Sequence, residues 1–211
     1  MIQTRVIPIL LLKNGGLYKT INFKQPNYIG DPRNAIKIFN EKEVDELCIL
    51  DISATDKKQS PDFALLDELA SECFMPLSYG GGITTLEDMD KIFSIGIEKV
   101  VLNSVLHKNL KLLSEATQKY GDQSIVVSID VKKTIFNRYN IFSNGGKKKI
   151  KIKLEEYINK LNDIGVGEII ITSINNEGMM KGMDTSLVKN VVNQSKSPVV
   201  AVGGIGDLSH I

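Results

Sequence analysis

Gly81-Gly82 and Gly203-Gly204 stand 122 residues apart, and each pair closes a short apolar run. Such a pair at a strand end lets the backbone approach an anion, because no Cβ intervenes and free N–H groups can point inward. The flanking sequence repeats at the same spacing. Pro76–Ile83 recurs as Pro198–Ile205, and Glu46–Ile52 recurs as Glu168–Ile174. An internal duplication delivering two such loops suggests one pocket with two anion-gripping ends; the plainer alternative is two unrelated tight turns. His107 and His210 follow no metal-ligand spacing and are expected at the surface or in helix turns. Cys48 and Cys73 form neither a metal motif nor a disulfide framework. No metal and no organic cofactor is expected.

The elements that must carry these loops alternate. Apolar runs at Val6–Leu11, Glu46–Asp51, Pro76–Tyr79, Lys99–Asn103, Ser124–Asp130, Glu168–Ser173 and Pro198–Val202 read as buried parallel strands. Amphipathic segments lie between them. One carries Leu154, Ile158, Leu161 and Ile164 on a single face and stops at Gly165. Another starts at Thr85, with Asp88 three residues on, and stops at Gly96. Two copies of a four-strand unit predict a (β/α)8 TIM barrel built from two half-barrel repeats, one domain over residues 1–211. The final residues, 206–211, read as the start of a seventh helix. The eighth strand and last helices are expected to be missing, so the sequence reads as truncated. Asn14–Gly30 reads as a long loop suited to a mobile lid, and Thr134–Lys149 as a hairpin turning at Asn144-Gly145-Gly146. Both would leave the C-terminal face of the barrel, though plain surface excursions fit as well.

The bulk properties exclude several classes. The 211 residues carry a net charge of +1, and 42% are hydrophobic. That suits one globular domain with a substantial core and gives no reason to expect nucleic acid or an acidic membrane as partner. Lys147-Lys148-Lys149 reads as a solvated loop. The chain has no long apolar run and no signal-peptide core at its start, so a cytoplasmic protein is expected.

In order along the chain come Arg5-Val6-Ile7-Pro8, Gly30-Asp31-Pro32, Glu46 through Asp51, Gly80-Gly81-Gly82-Ile83, Asn103-Ser104, Ser128-Ile129-Asp130, Ser173 through Asp184, and Gly203-Gly204. This pattern resembles the cyclase subunit of imidazole glycerol phosphate synthase over the full length. The resemblance implies a lyase-type synthase. It would take ammonia from a glutaminase partner, in a heterodimer, and act on a small molecule with a phosphate at each end. One phosphate would sit at Gly81, Gly82, Asn103 and Ser104, the other at Gly178, Gly203 and Gly204. Asn103 could instead cap a strand. Lys19, Asp51, Thr172, Ser173 and Glu177 would complete the pocket, Glu177 standing where the family usually carries aspartate. Arg5, Glu46, Lys99 and Glu168 match the family's charged ammonia gate; a salt-bridge ring closing the barrel is the plainer reading.

The resemblance also implies two catalytic aspartates. Asp130 matches one. Aligning Lys13 with Lys132 puts Leu11 at the other position, and leucine cannot move a proton. That departure resembles a branch of the family in which cyclase-like and glutaminase-like proteins accompany an amidotransferase that installs acetamidino groups on surface sugars. Three functions therefore stand open: ammonia delivery for sugar amidation, an ordinary cyclase of histidine biosynthesis, or a noncatalytic phospho-ligand-binding activator of a glutaminase.

Overall fold

The computed structural model describes residues 5–54, 59–136 and 138–210. They divide into two compact units. The first comprises residues up to 19 and 27–101. In it β1 (Ile9–Lys13) pairs in parallel with β4 (Leu47–Asp51), β4 with β5 (Leu77–Gly80), and β5 with β6 (Lys99–Leu102). Helices α1 (Pro32–Glu41), α2 (Phe63–Glu72) and α3 (Leu86–Ser94) alternate with these strands. Leu47 and Ile49 bury in the same core as Ile36, Leu66, Leu69, Met89 and Ile92. The predicted start of α3 is a full capping box: Thr85 accepts from the Asp88 N–H, and Asp88 accepts from the Thr85 N–H.

The second unit comprises residues 20–26 and 102–210. Here β7 (Ile125–Lys133) pairs in parallel with β10 (Glu168–Ser173), and β10 with β11 (Val199–Val202). Helices α4 (Lys111–Tyr120), α5 (Leu154–Ile164) and α6 (Thr185–Val192) belong to this unit. Strand β10 is buried on both faces, the state its unbroken apolar run requires. Helix α5 buries Leu154, Tyr157, Ile158 and Leu161, and Gly165 ends it at φ +84°. Six helices among the described residues, alternating with a mostly parallel sheet, are the arrangement of a TIM-type barrel. None of these helices is long and apolar enough to cross a membrane.

The duplication holds at the level of strand register. Leu50 pairs with Gly80 in the first unit, as Thr172 pairs with Val202 in the second. Leu11 pairs with Leu50, and Asp130 pairs with Thr172. Each of these two strands also continues into an antiparallel partner: β1 into β2 (Gly16–Ile21), with Leu11 opposite Tyr18, and β7 into β8 (Tyr139–Ser143), with Asp130 opposite Phe142. Leu11 and Asp130 are therefore equivalent residues of the two repeats.

Two expectations change. Asn14–Gly30 is not an irregular loop but strand β2 followed by β3 (Lys24–Gly30). Asn14 and Gly15, at φ +51° and +78°, make the two-residue turn that joins β1 to β2. Left-handed φ at both positions fits the twist of paired strands, and Asn-Gly is the sequence that tolerates it best. Residues 206–210 form a short 3-10 turn, Leu208–His210, rather than a helix start. The second hairpin is present as expected, with β9 (Lys148–Lys153) returning beside β8; Asn137, inside the predicted span, lies outside the described residues.

Candidate functional site

Asp130 is a buried acid of the second unit. It lies one residue before the end of the fully buried part of β7, and burial pushes its carboxyl up to about 6. Hydrogen bonds from Asn103 and Thr172 oppose that rise by favouring the carboxylate. The Asn103 amide nitrogen donates to Asp130 Oδ2 at 2.8 Å, so this side chain engages the acid rather than capping a strand. Asn103 Oδ1 is buried without a hydrogen-bond partner. An amide turned over about its last bond would offer that oxygen to a protonated Asp130, so one contact can serve both charge states. A buried carboxyl poised near neutrality can accept or return a proton.

The glycines behave as close-approach positions. Gly81 sits at φ +121°, and a Cβ there would stand 2.5 Å from the Asp51 carbonyl. Its repeat counterpart Gly203, at φ +105°, would meet the Ser173 carbonyl at 2.8 Å. Gly82 is left-handed too, and Gly204 lies against Gly182, whose N–H donates to the Gly204 carbonyl. Ser104 is half-buried, and its hydroxyl oxygen accepts from the Asn144 N–H at 3.1 Å. Asp51 holds the loop after β4 by accepting from the Ser53 N–H and hydroxyl, both at 2.7 Å. It also lines a cavity of about 410 Å³ in the first unit, beside Leu12, Asn14 and Gln59.

At the opposite ends of the strands, Glu46 is buried and takes Lys99 Nζ on both oxygens, at 2.9 and 2.8 Å. Arg5 reaches the same carboxylate at 3.6 Å. Three of the four expected gate residues therefore form one charged cluster in the first unit. Glu168, their fourth, is buried at the start of β10 in the second. Among the described residues no three or more His, Cys, Asp or Glu side chains are grouped so as to hold a metal ion.

A family model described as "Histidine biosynthesis protein" matches residues 5–211. The chain belongs to this family. It is 48% identical over 211 residues to a Pseudomonas aeruginosa protein named "Putative imidazole glycerol phosphate synthase subunit hisF2", covering all of this chain and 84% of the relative. Proteins of the same description, HisF from Leptospira interrogans and hisF3 from Vibrio vulnificus, are 45% and 44% identical, with 84% and 82% of their lengths covered.

The remaining expected residues divide between the bonded and the exposed. Ser173 is buried, with its hydroxyl 3.2 Å from Asn176 Oδ1. Lys19 is exposed on β2. Glu177 carries its carboxylate to the tip of the β2–β3 hairpin, where Thr20 and Phe23 donate to it. His107 is half-buried in the turn after β6, the second of the two settings expected for it. Its ring packs 5.4 Å from that of Tyr157, and burial lowers its pKa. Sequence reasoning missed Lys132, which donates to the Gly146 carbonyl at 2.7 Å and so ties the β8–β9 turn to β7. The signal was present: Lys132 is two residues past Asp130, hence on the same face of the strand. It also missed Asn22, whose side chain bridges the Ile174 and Asn175 carbonyls; no pattern in the sequence pairs positions that far apart.

Proposed function

We propose that this chain is a HisF-like, cyclase-type subunit that receives ammonia from a glutaminase partner in the cytoplasm and serves the formation of an acetamidino group on a surface sugar. The match over the whole of this chain to subunits named for imidazole glycerol phosphate synthase supports the first part. Leu11 carries the second. By register it is the counterpart of Asp130, and it places an aliphatic side chain where paired acid–base chemistry would need a second proton carrier. In this reading the Arg5–Glu46–Lys99 cluster with Glu168 is the ammonia entrance. Gly81, Gly82, Asn103 and Ser104 grip one phosphate, and Gly178, Gly203 and Gly204 the other.

The test is an assay of the purified protein with external ammonium and the substrate of the cyclase reaction. Wild type should turn over slowly, and Leu11→Asp should raise the rate by about 10²-fold or more, the usual worth of a positioned acid–base group. Wild-type turnover matching that of an authentic cyclase would refute the specialisation. The second reading, an ordinary cyclase of histidine biosynthesis, draws on Asp130, whose carboxyl near 6 is already suited to general acid–base work. The same assay separates the two.

A further inference from the structure

The tip of the β2–β3 hairpin is held by more bonds than a surface turn needs. Glu177 Oε1 accepts from the Thr20 hydroxyl at 2.8 Å, and Oε2 accepts from the Phe23 N–H at 2.9 Å. The Glu177 carbonyl accepts from the Asn22 N–H at 3.0 Å, and the Asn22 side chain donates to Ile174 and Asn175. Thr20 is buried by this docking.

The turn itself is strained. Asn22 lies at φ +52° and Phe23 at φ +63°. Asparagine tolerates the left-handed region, but a bulky aromatic there is an outlier that its surroundings must hold in place. The Phe23 amide is held in that conformation by its bond to Glu177, beside the Asn22 bonds to the same loop. Gly178 completes the seat: at φ +73° it lets the Thr20 carbonyl come so close that a Cβ would collide with it. Reach is decisive as well. Both oxygens of Glu177 are engaged, and an aspartate would end one carbon–carbon bond, about 1.5 Å, short.

We propose that Glu177 is a positioning residue, a latch that pins the β2–β3 tip to the loop after β10 and holds Phe23 in a conformation from which the tip opens when the carboxylate lets go. The tip bonds to the Ile174 carbonyl, two residues past Thr172, the partner of Asp130 in register. That is about 7 Å along the strand direction, so the latch sets whether the tip stands over this strand end. The inference concerns the fold of the tip and does not depend on the reaction assigned above.

Amide hydrogen exchange of the full chain, read residue by residue, tests it. In Glu177→Asp the Phe23 amide should exchange roughly ten- to a hundredfold faster, the range expected for losing a hydrogen bond to a charged group. Glu177→Gln keeps the length and one acceptor and should fall between. Trypsin cleavage after Lys24 should accelerate in the same order, while the amides of Ile129 and Ile171 in the core strands stay as protected as in wild type. Gly178→Ala, which crowds Thr20 and leaves Glu177 intact, should free the tip by an independent route. Phe23 exchange within twofold of wild type in both Glu177 variants would overturn the latch. So would loosening of Ile129 and Ile171 in parallel with the tip, since Glu177 would then be supporting the whole unit. Full protection in Glu177→Asp would overturn the argument from reach.

Discussion

At the scale of single residues, Asp130 makes the clearest demand on the chain. Burial lifts its carboxyl from the ordinary carboxylate range to about 6. Between roughly pH 4 and 6 the folded protein then holds a proton that the unfolded chain has released, so folding is favoured at the acid end of that window. Stability falls as pH rises through it, and the full loss is present above about pH 7. Asp130→Asn cannot titrate. Chemical denaturation at pH 4.5 and 7.5 should therefore show the variant gaining on wild type by about 2 kcal/mol at the higher pH, since part of the roughly 3 kcal/mol equivalent of a two-unit shift is already lost at pH 4.5. Asp130 was legible from the sequence through family likeness, and Leu11 through the alignment of Lys13 with Lys132. The Asn103 bond to Asp130 was not. An asparagine after an apolar run looks the same whether it caps a strand, meets an anion or orients an acid, and only the 2.8 Å contact separates these.

At the scale of elements, local chemistry predicted well where it was self-contained. The start of α3 is an example, because the capping box needs only Thr85 and Asp88. Thr85→Ala removes the hydroxyl that accepts from the Asp88 N–H and should cost about 1 kcal/mol in urea unfolding, with no change in the slope of the transition. Helix α5 was equally readable from Leu154, Ile158, Leu161 and Gly165. The β1–β2–β3 meander was not, although Asn14-Gly15 at its first turn is a strong hairpin dipeptide. The strand alternation after it is weak: Leu17 and Thr20 are buried three residues apart, and β3 is exposed along nearly its whole length. A strand with no buried face leaves no period in its sequence. What holds β3 is its neighbour β2, and what holds the tip is Glu177, more than 150 residues away in the chain.

At the scale of the whole molecule, a net charge of +1 conceals a strong imbalance. Residues 132–153, the end of β7 with β8 and β9, carry eight lysines and arginines and no acidic residue. The rest of the chain then holds eighteen cations against its 25 acids, a net of −7. Lys132 and Lys133 follow Asp130 on β7 itself, and Phe142 of β8 lies opposite Asp130 with Lys149 of β9 opposite Phe142, so the lysines run from the candidate acid's own strand out to the second strand beyond it. That placement should raise the encounter rate of a phosphorylated ligand. Replacing Lys148, Lys149 and Lys151 together by glutamine should slow stopped-flow association of such a ligand several-fold at low ionic strength, with the difference vanishing near 0.5 M salt, where the screening length is only about 4 Å. The same lysines bear on how the protein tolerates crowding. Among the described residues β9 bonds to β8 alone, leaving one side of its backbone unmatched. A second copy adding its own β9 there would bring ammonium groups face to face, so the repulsion that discourages fibrous stacking is written into the very strand that would otherwise invite it.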